Sequence, residues 1–217
     1  MTEIEAILAR HSVISYQNKK IEPDKVKLLN EKIAQLNKQG NLNLQFIENA
    51  GKTYNKLLNK ALGLGSAPSV IACVGAEAED LEERIGYYGQ QLVLYAQQLG
   101  LNTCWAGIFN KNAIPAKTAP GERIVISIAI GYGVNAGKAR KSRTIDQVSS
   151  CSGERPEWFD YAVEMALLAP TAMNQQKFEI SCQEGKVIFK DKGGLFSKVD
   201  LGIVKYNFSV GAAAKQA

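Results

Sequence analysis

Ala166-Leu-Leu-Ala-Pro170-Thr171-Ala172-Met173-Asn174-Gln175-Gln176 begins as an amphipathic helix and ends as a corner. Proline has no amide proton and clashes with the preceding helical turn, so the spacing ends the helix at Pro170. Small and amide side chains follow. Thr171 brings a hydroxyl, and Asn174 an amide that both donates and accepts. Such a corner can hold a planar heterocycle with several polar edges.

On either side of it a second structural unit is legible. Trp158, Ala162, Met165 and Ala169 line the helix that leads in. Phe178–Cys182 and Lys186–Lys190 flank Gln-Glu-Gly and read as a β-hairpin. Asp200 to Ala214 reads as a last helix. Upstream, residues 134–156 are polar, basic and Gly/Ser-containing, and read as a connector.

The first part of the chain has its own signals. Thr2-Glu-Ile-Glu5 fits a capping box, with Ile4, Ile7 and Leu8 as the apolar side of a first helix. Glu22-Pro23-Asp24 starts a second helix, whose Val26, Leu29, Ile33 and Leu36 keep helical spacing up to a stop at Gly40. Ser69–Val74 is a short apolar run and reads as a buried strand. Ile85, Tyr88, Leu92, Tyr95 and Leu99 mark a helix capped by Gly100. Arg123–Gly131 is the strongest strand signal, apolar enough for the centre of a covered sheet. The order helix, amide-rich corner, hairpin and Gly-containing helix occurs twice. It runs once from Lys25 through Asn41 to Gly86 and Ala96, and again from Trp158 through Asn174 to Gly202 and Ala212. This is a weak internal echo with minimal identity.

Composition narrows the function classes. The 217 residues are 46% hydrophobic, enough for a sizeable core in one or two domains. No apolar run approaches the length of a membrane span, and residues 1–20 lack a signal-peptide core, so a cytoplasmic protein without membrane attachment is expected. Cys73, Cys104, Cys151 and Cys182 are scattered with no Cys-x-x-Cys, and there is one histidine, so no metal site is expected. Three of the four cysteines sit in apolar or small-residue surroundings, as reduced structural thiols do. The net charge of +5 suits an anionic cofactor as well as it suits nucleic acid. The densest basic run, Lys138-Ala-Arg140-Lys141-Ser-Arg143, has no interleaved aromatics, which speaks for a solvated loop and against a nucleic-acid surface. Gly63-Leu-Gly65 and Gly131-Tyr-Gly133 do not complete a dinucleotide fingerprint, so a Rossmann domain is not expected.

The corner at 170–176 resembles the Pro-Ser-Ala-x-Asn-x-Gln corner of the nitroreductase family of FMN enzymes. Arg10-His11-Ser12-Val13-Ile14-Ser15-Tyr16 is similar to that family's Arg-Arg-Ser-x-Arg-x-Tyr segment, and Thr103-Cys104-Trp105-Ala106-Gly107 resembles its Trp-x-Gly turn. The resemblance implies an α+β fold of nitroreductase-like mixed β-sheets covered by helices. It implies FMN as cofactor, NADH or NADPH as electron donor, and a small-molecule acceptor such as a nitroaromatic or quinone. Carried over residue by residue, Arg10, His11 and Ser12 would meet the ribityl chain, phosphate and pyrimidine rim. The backbone of Trp105, Ala106 and Gly107 would reach the flavin edge, with Gly107 allowing close approach. Arg140 and Lys141, after Gly131-Tyr132, loosely match a second phosphate contact. Pro170, Thr171, Ala172 and Asn174 would form the facing contacts. No side chain is assigned as catalytic acid or base. His11 stands where the family has its second arginine, Ile14 where it has a later basic residue, and Thr171 where it has serine.

In ordinary family members the basic segment and the corner lie far closer together in sequence. Here they fall in an N-terminal half, residues 1–150, and a C-terminal half, residues 151–217. That order implies one FMN per chain in a single-chain pseudo-dimer of two related halves, with a homodimer as the alternative. Two other functions stay open: a flavin-binding protein without turnover, and a reductive dehalogenase or flavin-processing relative on the same fold.

Overall fold

The structure, a computed structural model, describes residues 1–48, 53–54, 67–183 and 185–216. The Gly63-Leu-Gly65 segment and Glu184, in the turn of the expected hairpin, lie outside them. The chain divides into two compact units. One comprises Arg10–Leu81 and Leu92–Ala139. The other comprises Met1–Ala9, Glu82–Gln91 and Arg140–Ala217.

The first unit is built on a four-stranded antiparallel sheet in the order β1-β2-β4-β3. Its strands are β1 (Gln45–Glu48), β2 (Ser69–Ala76), β3 (Asn102–Ala106) and β4 (Glu122–Gly131). The two apolar runs legible in the sequence, β2 and β4, take the centre. Seven of the eight β2 residues are buried, as are the last seven of β4. Val70, Ala72 and Val74 alternate onto one face, where they join Ala129 of β4, Cys104 and Ala106 of β3, and Val13 and Tyr16 from the N-terminal segment. The Tyr16 hydroxyl donates to the Ala129 carbonyl (3.3 Å), so this tyrosine is a core residue.

The helix Pro23–Gly40 buries Leu29, Ile33 and Leu36, as its spacing requires. Its stop differs from expectation by one residue. Gly40 is still helical, and Asn41 takes the left-handed conformation (φ 47°), which Asn tolerates better than other side chains that carry a Cβ. Asn37 closes this end through its side chain, donating to the Leu44 carbonyl (3.0 Å) and accepting from the Leu44 amide (2.7 Å). The amide-rich turn of the first repeat is therefore occupied with its own backbone. The helix Leu81–Gln98 ends as expected, with Gly100 at φ +74°. The Gly100 amide donates to Gln97 and the Leu101 amide to Ala96, at 3.0 and 2.9 Å, a Schellman closure.

The second unit carries a three-stranded sheet, β5-β6-β7. The hairpin is β6 (Phe178–Gln183) with β7 (Lys186–Asp191), in antiparallel register. The connector expected over 134–156 is not wholly irregular. It contains a helical turn, Ile145–Val148, and β5 (Ser149–Ser152), which pairs in parallel with β6. Ser-Ser-Cys-Ser has no apolar alternation to announce a strand, and the β6 edge decides its conformation. The first helix, Glu3–Ala9, has the expected capping box: the Thr2 amide donates to Glu5 (2.8 Å) and the Glu5 amide to the Thr2 hydroxyl (3.2 Å). Ala6 and Ile7 are buried but Leu8 is 54% exposed, so the apolar side is narrower than the sequence suggested.

The helix Ser197–Gln216 is the axis of this unit, and glycines set its contacts. A Cβ on Gly211 would lie 2.9 Å from the Ala162 Cα, so the backbones of helices 197–216 and 157–167 approach closely. A Cβ on Gly202 would lie 2.0 Å from the Glu83 carbonyl oxygen and 2.7 Å from the Tyr87 amide nitrogen. A Cβ on Gly86 would lie 2.1 Å from the Val199 carbonyl oxygen and 3.0 Å from the Ile203 amide nitrogen. Each glycine meets the residue three before and the residue one after the other glycine. This reciprocity is that of a local two-fold axis, and it joins the two glycine-bearing helices of the internal echo. Around it, Gln90 donates to Asn207 (3.0 Å), and Phe208 meets Phe159 and Phe189 edge-on, with ring centres 5.9 and 5.1 Å away.

Candidate functional site

In the first unit, the segment Arg10-His11-Ser12 runs beside the start of β3. Ser12 forms a parallel bridge with Thr103, and the Val13 amide donates to the Thr103 carbonyl (3.1 Å). Farther along, Tyr16 bridges Gly133 and the Gln17 amide donates to the Tyr132 carbonyl (2.8 Å). The segment is thus tied first to β3, the edge strand that carries Trp105 and Ala106, and then to the residues that follow β4. Arg10, His11 and Ser12 are half-buried. Burial, then the neighbouring Arg10 cation, lowers the pKa of His11. At neutral pH His11 is therefore a neutral imidazole, and Arg10 is the cation of this segment. Trp105 and Gly107 are half-buried and Gly107 begins a bend. Ala106 is a core residue, 3% exposed, whose carbonyl accepts the Ser127 hydroxyl (3.0 Å).

In the second unit, the corner has an unusual backbone. The helix ends at Leu167, with Leu168 and Ala169 tightening the last turn through bonds to Met165 and Ala166. A short 3₁₀ turn, Ala172–Asn174, follows Pro170 and Thr171. Met173, Asn174 and Gln176 all have left-handed φ, at 51°, 54° and 45°. Three non-glycine residues in this region within four positions require the surroundings to enforce it.

Asp200 and Gln176 do the enforcing; Asp200 lies outside the motifs, and Gln176, though part of the corner, is not among the expected flavin contacts. Asp200, on the helix Ser197–Gln216, receives the Ala172 amide at both carboxylate oxygens (3.0 Å each) and the Gln175 side-chain amide (2.8 Å). Burial pushes its carboxyl up to about 6, with Asp191 adding to the rise and the bonds from Gln175 and Ala172 opposing it. Gln176 is 3% exposed. Its amide nitrogen donates to the Leu167 carbonyl (3.0 Å) and the Ser142 hydroxyl (3.1 Å), and its oxygen accepts the Arg143 amide (2.8 Å). Gln176 also closes the turn by donating its own amide to the Thr171 hydroxyl (3.1 Å).

The same bonds bring the basic run to the corner. Asn174 donates its side-chain amide to the Lys141 carbonyl (2.8 Å), while Gln176 holds Ser142 and Arg143. Arg140 and Lys141 are exposed, so their cations face solvent from a backbone tied to Asn174 and Gln176. The motif set therefore gathers in two groups: Arg10, His11, Ser12, Trp105, Ala106 and Gly107 in one unit, and Arg140, Lys141, Pro170, Thr171, Ala172 and Asn174 in the other. Among the described residues there is no cluster of three or more His, Cys, Asp or Glu able to hold a metal ion, and no helix is long and apolar enough to cross a membrane.

The donor set suits FMN. Thr171 accepts one amide and keeps its own proton to give. Asn174 uses one N–H on Lys141 and keeps a second N–H and its oxygen, the mixture a pyrimidine edge requires. Arg140 and Lys141, held beside this corner, are cations of the kind a phosphate monoester requires.

A family model described as "Putative TM nitroreductase" matches residues 3–212. Among solved structures, a "putative nitroreductase" from Thermotoga maritima is 24% identical, with a TM-score of 0.72 over 99% of this chain and 85% of that one. A "putative nitroreductase in complex with FMN" from Desulfovibrio desulfuricans is 18% identical, with a TM-score of 0.53 over 72% of this chain and 98% of that one. A nitroreductase family protein from Streptococcus pneumoniae is 14% identical, with a TM-score of 0.53 over 68% and 98%. At these identities the likeness to solved structures is one of fold, the α+β arrangement described above. The search of curated proteins found no match.

Proposed function

The chain belongs to this nitroreductase family, and on that footing we propose that it is an FMN-dependent oxidoreductase passing hydride from NADH or NADPH to acceptors such as nitroaromatics or quinones. The observation that carries the reading is the pair of amide ties, from Asn174 to Lys141 and from Gln176 to Ser142 and Arg143. They keep a basic loop beside a corner rich in donors and acceptors, which a solvated linker would not need.

FMN, when bound, supplies the hydride relay itself. The chain's own residues bind and orient. Arg140 and Lys141 beside the corner would offer cations to the phosphate; in the other unit Arg10 would offer another, and Ser12 and neutral His11 uncharged donors. Thr171 and Asn174 read the polar ring edge. The bend at Gly107 lets backbone approach the ring system without a side chain between. Asp200 and Gln176 hold the corner in its left-handed conformation before the cofactor arrives, so its ordering cost is met in folding.

Reconstitution with a mixture of FMN and FAD, followed by desalting, extraction and chromatography, tests the assignment. Retention of FMN at about one per chain is expected, because the donor set matches one phosphate and the sequence has no adenine-binding fingerprint. Tight FAD retention with no FMN would overturn it.

A further inference from the structure

Two of the four thiols are neighbours in the three-stranded sheet. Cys151 on β5 and Cys182 on β6 are direct register partners in the parallel pair, so their side chains leave the sheet on the same face. Neighbouring strands run about 4.8 Å apart, inside the roughly 4.4–6.8 Å window of Cα separations that a disulfide spans. The Cys151 thiol itself donates to the Glu154 carbonyl (3.6 Å). Partial desolvation and then the hydrogen bond with Cys182 raise the Cys151 thiol, while Arg155 opposes the rise. Both thiols are free. Their accessibility differs: β5 is an outer strand and Cys151 is half-buried, whereas Cys182 is on the middle strand and 1% exposed. Cys73 and Cys104, in the first unit, are buried.

We propose that Cys151 and Cys182 form a thiol–disulfide exchange site, with Cys151 as the attacking thiol and Cys182 as the resolving one, that takes a small dithio compound of the glutathione-disulfide class. The Cys151 thiolate attacks one sulfur of the small disulfide, forming a mixed disulfide and expelling one small thiolate. The Cys182 thiolate then attacks the Cys151 sulfur, forming the intramolecular S–S bond and expelling the second. The protein loses two electrons and two protons, and the small disulfide becomes two small thiols. The crosslink covalently joins β5, which follows the Arg140–Arg143 run, to β6, which follows the Thr171–Gln176 corner. The exchange itself does not depend on flavin binding.

The full-length protein is equilibrated in a series of glutathione/glutathione-disulfide buffers, quenched in acid and alkylated after denaturation. Alkylatable thiols are expected to fall from the four free cysteines to two, with a crosslinked peptide pair containing Cys151 and Cys182. The C182S variant should stop at a stable mixed disulfide on Cys151, and the C151S variant should retain all three of its remaining thiols. Circular dichroism on each variant confirms that it is folded. A thiol count that stays at four across the series, a crosslink that uses Cys73 or Cys104, or glutathionylation of Cys182 in place of Cys151 would each overturn the proposal.

Discussion

Replacing Asp200 by Asn isolates the group that holds the corner. The Asp200 carboxyl is raised from 3.8 to about 6, mainly by burial, although three hydrogen bonds converge on its oxygens. A folded pKa above the unfolded one means that the native chain binds the extra proton between these values. Its stability therefore rises as pH falls through about 6 and levels off below 3.8. Each tenfold change in proton affinity is worth about 1.4 kcal/mol. The ionised carboxylate thus costs the native state up to about 3 kcal/mol at neutral pH, of which roughly 2 kcal/mol is recovered by pH 4. D200N has no charge to titrate. Urea unfolding from pH 7 to pH 4 should therefore show wild type gaining about 2 kcal/mol relative to D200N, all other groups being common to both proteins. At pH 7 the variant should also lose protection of the Ala172 amide in hydrogen exchange. Its carboxamide offers one acceptor oxygen to donors that now have two. Parallel stability curves for the two proteins would refute the burial argument.

Other perturbations test the packing and the binding set. Gly202→Ala places a Cβ 2.0 Å from a backbone carbonyl that cannot rotate away, and should destabilise the protein by about 3 kcal/mol or more in urea; helix propensity alone predicts a gain of about 1 kcal/mol, so an unchanged or improved midpoint would contradict the close crossing. Arg10→Ala should weaken FMN ten- to a hundredfold in fluorescence titrations, the equivalent of about 1.5–3 kcal/mol for a charge-assisted bond, with folding unchanged. Asn174→Ala should weaken FMN as well and release the Lys141 carbonyl; unaltered affinity in both variants would show the motif match to be misplaced.

What was legible in the sequence was what local chemistry decides. The Thr2/Glu5 box, the Gly100 cap, the central strands β2 and β4 and the hairpin β6-β7 depend on residues a few positions apart or on a run of one character. The corner was legible too, through Pro170 and its amides, and so was the echo that led to Gly86 and Gly202. What was hidden depends on partners distant in the chain. β5 is a strand because β6 offers it an edge, not because Ser-Ser-Cys-Ser favours one. Asp200 lies 28 residues from Ala172, and nothing in a helix beginning Ser-Lys-Val-Asp marks that carboxylate as an acceptor for a distant turn. Gln176 was visible as part of the corner motif, but its role is set by Ser142 and Arg143, which read as connector. His11 was visible as a departure from a basic pattern, with Arg10 beside it in sequence; the burial that does most to lower its pKa is what only the fold supplies.

On this reading, bound FMN is reduced by a nicotinamide and reoxidised by an organic acceptor. Anaerobic titration of the FMN-loaded protein with NADH and with NADPH, followed in the visible flavin band, tests it most directly. Bleaching by at least one of the two donors is expected, and return of the band on adding a nitroaromatic or a quinone. A flavin that stays oxidised with both donors, in protein shown to retain FMN, would contradict it and leave a flavin-binding protein without turnover.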